Sequence, residues 1–383
     1  MFRRAEGKHN NRPTMDLDAH TRYDCFSERL VLRFGHATGT IVSDRTILLT
    51  GAGGSIGSAL AKAVVRLEPR RLILLDHSER NLNEIDLELA VARNGNSRTC
   101  VLGDICDAKL LSEIFQLHRP EVVYHAAAFK HVPIMEKNPF AAIRNNALGT
   151  ASLAKISRLA GVAKFVMIST DKAVNPISIM GASKRVAELV LLSLTNPKNQ
   201  MSAVRLGNVL GSQGSVVPTF LSQISRGRPI TVTHRDVSRY FFTIDEAVDL
   251  ILLASGLAEG GGIFVPQLGA PVKILDIALE LIGRTRSNRQ SDFPIRFTGL
   301  RPGDKMSEEF LSQDETAEPT LDSRLFRVKT QKIPPDGFDR HIAELSRCVD
   351  QRDLSSMIET LRRIVPDYRP TDSLYPTTQG ASI

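Results

Sequence analysis

From Thr46 onward, short β-branched or Leu-rich runs alternate with longer amphipathic stretches. TILLT gives way to a helical pattern from Ser55, RLILLD to one over Ser78–Ala92, and CVLGD to a short helix. EVVYHAAA, KFVMIST and MSAVRLGNV continue the series. Apolar runs this short fit strands covered on both faces, and their alternation with helices requires parallel crossover connections. Right-handed crossovers then predict an α/β fold with a doubly wound parallel sheet. After Asn208 the rhythm breaks into Gly- and Pro-rich turns (GSQGSVVP, SRGRP, EGGG, GLRPGD) around helical stretches at Asp245–Leu257 and Ile274–Ile282. The organisation expected is a partly disordered extension over 1–43, a main domain over 44–207 and a smaller C-terminal α/β lobe over 208–330. Strands and helices of that lobe can return to the main domain. Over 331–383, PPDGFD predicts a turn, followed by a short helix near Leu354–Ile364 and a loose Pro-rich tail.

Composition narrows the class without deciding it. The 383 residues suffice for a full core. Lys and Arg exceed Asp and Glu by 49 to 42, scattered along the chain, which suits an anionic small molecule in a basic pocket as well as it suits nucleic acid. No Trp and 5% aromatics argue against stacking on single strands, so no nucleic-acid partner is expected. Cys25, Cys100, Cys106 and Cys348 form no CxxC pair, so neither a metal site nor a disulfide framework is predicted. No apolar run reaches the ~18 residues of a membrane span, and the basic N-terminus has no apolar core of a secretory signal. The expected setting is the cytoplasm.

TILLTGAGGSIG runs from a strand through Gly51, Gly54 and Gly57 into a helix. Gly51 permits the tight turn, Gly54 the approach of backbone N–H groups to a pyrophosphate, and Gly57 close packing of helix on strand. Ser55 and Ile56 open that helix, whose positive end faces the phosphates. Asp76 ends the second strand nineteen residues after Gly57, where a carboxylate meets the adenosine ribose. The motif predicts a Rossmann sheet with NAD. Arg80 could offset a 2′-phosphate, which keeps NADP open. Asp104 with Ile105 ends the third strand at the adenine edge, although Asp104 reads equally as a helix N-cap. Ala126 and Ala127 end the fourth strand in small residues, as close approach to a cofactor requires.

The fifth strand ends in Ser169, Thr170, Asp171 and Lys172, and the next helix carries Met180 and Lys184 on one face. Taken alone, Asp171 and Lys172 read equally as a loop salt bridge. The chain resembles the extended short-chain dehydrogenases here, whose helix bears Tyr-x-x-x-Lys; Met180 stands at the Tyr position, and a thioether moves no proton. STDKAVNPISIMGASKRVAE, AFKHVPIMEKNP, LGNVLGSQGSVVPTF, GLRPGDK and VPDYRP together resemble one bacterial subfamily. It is the nucleotide-sugar dehydratases of polysaccharide biosynthesis, the UDP-N-acetylglucosamine 4,6-dehydratase group, and the likeness runs from about Arg45 to Pro370. Longer members carry an N-terminal membrane domain and also have Met for Tyr; the expectation is a member without that part. Asp304 stands where RPGEK is usual.

The resemblance implies a lyase that passes hydride from C4 of the sugar to the nicotinamide, eliminates water across C5 and C6, and returns the hydride at C6. It implies Lys172 as C5 base, Asp171 as acid toward the C6 oxygen, Thr170 at the C4 hydroxyl, and Lys184 on the nicotinamide ribose. A lysine base needs a lowered pKa, which Lys184, a helix N-terminus or burial would supply. The dinucleotide is expected to stay tightly bound and be regenerated each cycle. Lys130, Asn208, Arg239 and Arg301 are candidates for diphosphate or sugar, with Asn146 positioning the catalytic loop. His131 reads as either packing residue or ligand contact, and Glu136 and Lys137 as a solvated pair. The family also implies a homo-oligomer. Rival readings are a nucleotide-sugar 4-epimerase, against which the missing Tyr counts, and a silent dinucleotide sensor, against which the retained Asp171, Lys172 and Lys184 count.

Overall fold

The computed structural model describes residues 41–91, 97–257, 260–285, 293–330 and 336–371. Cys25, nearly all of the predicted extension and the tail from 372 lie outside them. In chain order the elements are β1 (Thr46–Thr50), α1 (Ser55–Arg66), β2 (Arg71–Asp76), α2 (Glu79–Ala90), β3 (Arg98–Leu102), α3 (Ala108–His118) and β4 (Val122–His125). Two short helices, α4 (Val132–Lys137) and α5 (Pro139–Ala142), lead through a π-helical stretch at Ile143–Gly149 into α6 (Thr150–Leu159). Then come β5 (Lys164–Thr170), α7 (Ile179–Leu194) and β6 (Gln200–Leu206).

Every neighbour pair from β3 through β2, β1, β4 and β5 to β6 is parallel, which is the predicted doubly wound sheet. β1 is buried along its whole length, and β2 from Leu72 to Asp76, because helices cover both faces. This explains the unalternating apolar runs. Strand order reverses between β1 and β4, and a ligand crevice opens at the carboxyl ends of strands around such a switch.

The remainder divides its elements between sheet and lobe. β7 (Asn208–Val209), α8 (Val216–Ser225), β8 (Ile230–Val232), β9 (Ser238–Arg239) and β10 (Phe241–Phe242) precede the core helix α9 (Ile244–Leu257). β11 (Gly262–Pro266) then joins β6 in parallel. β12 (Val272–Lys273), α10 (Ile274–Thr285) and β13 (Ile295–Phe297) pair and pack with β9, α8 and β8 to form the lobe. β14 (Glu315–Pro319) and β15 (Leu325–Thr330) return antiparallel to finish a nine-stranded sheet. Past Thr330 the predicted lone helix is two, α11 (Phe338–Gln351) and α12 (Leu354–Ile364). α11 sits on the π-helical stretch and α12 on α7. Its buried Phe338, Ile342, Leu345 and Val349 form the apolar stripe that the PPDGFD turn hid from view.

Candidate functional site

Gly51 leaves β1 at φ +67°, and a Cβ there would lie 2.6 Å from the Ala127 nitrogen. At Gly57 a Cβ would lie 1.9 Å from the Gly51 carbonyl oxygen. Both positions therefore require glycine for the turn itself. At Gly54 a Cβ would meet the Gly51 carbonyl oxygen at 3.3 Å, a tight contact but much looser than at the other two glycines. Gly54 caps α1 with no side-chain hydrogen bond, which leaves the first N–H groups of the helix facing outward. Gly51, Gly54, Asp76, Asp104, Ile105, Ala126 and Ala127 line one cleft there. The buried Asp76 accepts from the N–H groups of Gly53 and Ser78, each at 2.9 Å. Asp107, not Asp104, caps α3, and Asp104 is left on the cleft wall. Arg80 is not brought to the cleft: it is exposed and pairs with Glu84. Ser55 Oγ accepts from the Gln213 N–H at 3.0 Å, so the loop after β7 reaches across to the start of α1.

Behind the cleft wall, buried His125 bridges Thr50 Oγ1 at 2.7 Å and Thr150 Oγ1 at 2.8 Å. Burial and the Lys184 charge push its pKa down to about 3, so the ring is neutral. The π-helical stretch puts the buried Asn146 amide on both backbone groups of Phe129 and on Ser183 Oγ. It thereby ties the loop after β4 to α7.

The end of β5 carries the second half of the site. Asp171 Oδ1 accepts from Thr170 Oγ1 at 2.8 Å and from Lys172 Nζ at 2.9 Å. Lys172 Nζ also lies 3.4 Å from Asn208 Oδ1 and 3.5 Å from Glu308 Oε1. Asp171 Oδ2 and Glu308 Oε2 are buried with no hydrogen-bond partner among the described residues. The expected fall in the Lys172 pKa does not occur in this state. Burial works to lower it, but the Asp171 and Glu308 carboxylates prevail and raise it. Glu308 is itself pushed up by burial and by Asp171, against the pull of Lys172 and Arg239. Lys184 behaves oppositely: buried on α7, it falls to about 8 through burial, with Glu188 only partly opposing. Met180 is buried beside it on the same helix.

Of the substrate candidates, Asn208 joins this cluster, and Arg239 reaches it at 3.7 Å from Glu308 while donating to the carbonyls of Ser238, Lys305 and Met306. Arg301 is exposed and pairs with Asp304 at 2.8 Å, and Lys130 is exposed as well. His131 packs against Gly214, where a Cβ would come within 2.4 Å of its ring. Glu136 is not half of a solvated pair: it is buried and accepts from the Ile179 N–H at 2.7 Å, at the start of α7, while Lys137 is exposed. Sequence reading missed Glu308 and Lys305, which the loop after Arg301 carries over the end of β5; Lys305 Nζ donates to the Val174 carbonyl at 2.8 Å.

Known proteins resemble the chain in sequence and fold. The family model described as "Polysaccharide biosynthesis protein" matches residues 47–330. The chain is 47% identical over 307 residues to the capsular polysaccharide biosynthesis protein CapD of Staphylococcus aureus, covering 79% of this chain and 51% of that one. It thus spans about half the length of that relative. It is 32% identical over 310 residues to a UDP-glucose 4-epimerase of Rickettsia massiliae, covering 79% of this chain and 86% of the other. The dTDP-glucose 4,6-dehydratase DesIV of Streptomyces venezuelae, solved with NAD and TYD, shares the fold at TM-score 0.61 and 22% identity over 69% of this chain and 87% of its own. The chain belongs to the polysaccharide biosynthesis protein family, built on the extended short-chain dehydrogenase fold.

Proposed function

We propose that this chain is a nucleotide-sugar 4,6-dehydratase acting on UDP-N-acetylglucosamine in the making of polysaccharide precursors. The observation that carries the reading is the Thr170–Asp171–Lys172 cluster at the crevice, paired with a buried Met180 where proton transfer through a tyrosine would otherwise occur. The glycine cradle fits a nicotinamide dinucleotide: side-chain atoms are excluded at Gly51 and Gly57, and Gly54 presents bare backbone to the cleft. Asp76 on the cleft wall suits an unphosphorylated adenosine ribose and so favours NAD. Bound there, the dinucleotide would supply a reversible hydride acceptor, held through each turnover.

The protein's own groups then handle protons. Transfer of one proton from Lys172 Nζ to Asp171 Oδ1, along their 2.9 Å hydrogen bond, yields a neutral amine and a carboxylic acid together. Those are the two species that removal of the C5 proton and protonation of the departing C6 oxygen require. Burial favours the neutral pair once substrate displaces water, and Glu308 holds the amine in place. Thr170 bonds the C4 hydroxyl, and Lys184 orients the nicotinamide ribose.

Turnover of UDP-N-acetylglucosamine in deuterated water tests this by mass spectrometry and NMR. The expected product is lighter by one water, carries deuterium at C5, and holds at C6 any label supplied at substrate C4. The 32% identity to a 4-epimerase favours a second reading, in which mass is unchanged and the C4 label stays at C4.

A further inference from the structure

At the opposite end of the sheet, where β1, β2 and β4 begin, a second group of charged residues gathers. Arg45 precedes β1, Arg70 and Arg71 open β2, and His118 and Arg119 end α3 ahead of β4. Glu121 is the carboxylate among them, and it is already engaged. It accepts from Arg45 at 2.6 Å, from Arg70, and from the Thr46 N–H at 3.0 Å. The Arg71 and Arg119 side chains have no ion-pair or hydrogen-bond partner among the described residues. Thr46, Arg70, Arg71, His118, Arg119 and Glu121 line an open concavity of about 440 Å³.

One further observation points to an anion. His118 Nδ1 is buried without a partner among the described residues, although a buried ring nitrogen ordinarily finds one. Arg119 ends α3 at φ +49° and ψ +58°, the left-handed turn with which helices commonly stop, and this turn carries its guanidinium to the rim of the concavity. The helix C-terminus by itself accounts for basic residues nearby and for the turn at Arg119, but not for an orphan nitrogen.

We propose that this concavity is a phosphate-binding site, separate from the dinucleotide cleft, in which Arg71, Arg119 and His118 hold the phosphoryl oxygens. Arginine forks match such oxygens in pairs, and a ring N–H supplies a third direction. The phosphate could come from a free metabolite or from a lipid headgroup.

The test is calorimetric titration of inorganic phosphate into the full chain saturated with NAD, at fixed ionic strength in chloride, so that the dinucleotide cleft is occupied. One phosphate per chain should bind, with affinity at least about tenfold weaker in Arg71→Gln and in Arg119→Gln and with NAD affinity unchanged. Arg119→Gly relieves the backbone, so it should fold at least as well and still lose phosphate. In parallel, the chain is sedimented with phosphatidylglycerol vesicles and with phosphatidylcholine vesicles. Pelleting with the anionic vesicles that depends on Arg71 and Arg119, without binding of free phosphate, supports the site and assigns it to a headgroup. No binding in either arm, or binding equal in all variants, overturns the proposal.

Discussion

On the proposed mechanism, the thioether at position 180 leaves proton transfer to side chains at the end of β5. If Met180 only packs, Met180→Leu should keep most turnover, since volume-conserving apolar swaps cost under ~1.5 kcal/mol. Lys172→Ala and Asp171→Asn should each lower kcat by about 10²-fold or more, with NAD binding retained. Steady-state rates alongside NAD titration check this, and an inactive Met180→Leu beside an active Lys172→Ala would refute it. Lys184 offers a pH-dependent test on the same helix. Unfolded lysine keeps its proton to about pH 10.5, and the buried Lys184 only to about 8. Between those values the unfolded state binds more protons, so stability climbs as pH rises from about 8 to 10.5, and the cost is fully present below 8. Lys184→Met should therefore be more stable than the parent at pH 7, with the gap closing by pH 10, while NAD binds more weakly. Denaturant midpoints at the two pH values measure it.

Two glycines in the turn from β1 into α1 look alike in sequence and differ in duty. Gly57→Ala drives a Cβ into the Gly51 carbonyl and should destabilise the fold by roughly 3 kcal/mol. Gly54→Val should leave Tm within a few degrees of the parent and abolish NAD binding. Thermal melts and NAD titration of the two variants separate these effects; a normal melt for Gly57→Ala would show that the turn had been misjudged. This turn was legible in the sequence because glycine spacing and a buried apolar strand are local signals, and so was the cluster at the end of β5. Other elements were not. β14 reads ETAEP because it is an edge strand exposed beyond its first residue, so no hydrophobic pattern marks it. Glu308 meets Lys172 from 136 positions away (308 less 172), through a loop whose path no local pattern specifies. Glu136 looked solvated beside Lys137 until tertiary packing set it under the start of α7.

Across the whole molecule, four buried charges join the sheet to its last strands. Arg205 on β6 is fully buried between Glu188 of α7, at 2.9 Å, and Glu315 at the start of β14, at 2.7 Å. Arg185 pairs with both carboxylates, and Glu188 accepts from Ser169, next to the Thr170–Lys172 cluster. Arg205→Met leaves two buried carboxylates with Arg185 as the one cation between them and should cost about 3–5 kcal/mol, read from denaturant unfolding. A loss under about 1 kcal/mol would mean that water or rearrangement satisfies them. The same arrangement dictates an order of events during synthesis. A nascent chain that has emerged only through β6 contains the glycine turn, α7 and the Thr170–Lys172 cluster, yet Arg185 and Arg205 then face a single carboxylate. Two guanidiniums on one carboxylate leave an uncompensated buried charge, so the central strands close fully over them only when residue 315 arrives. Maturation of the crevice is thereby postponed to the arrival of a strand more than a hundred residues downstream, and chains cut short before it should be retained by chaperones or degraded rather than persist as half-enzymes.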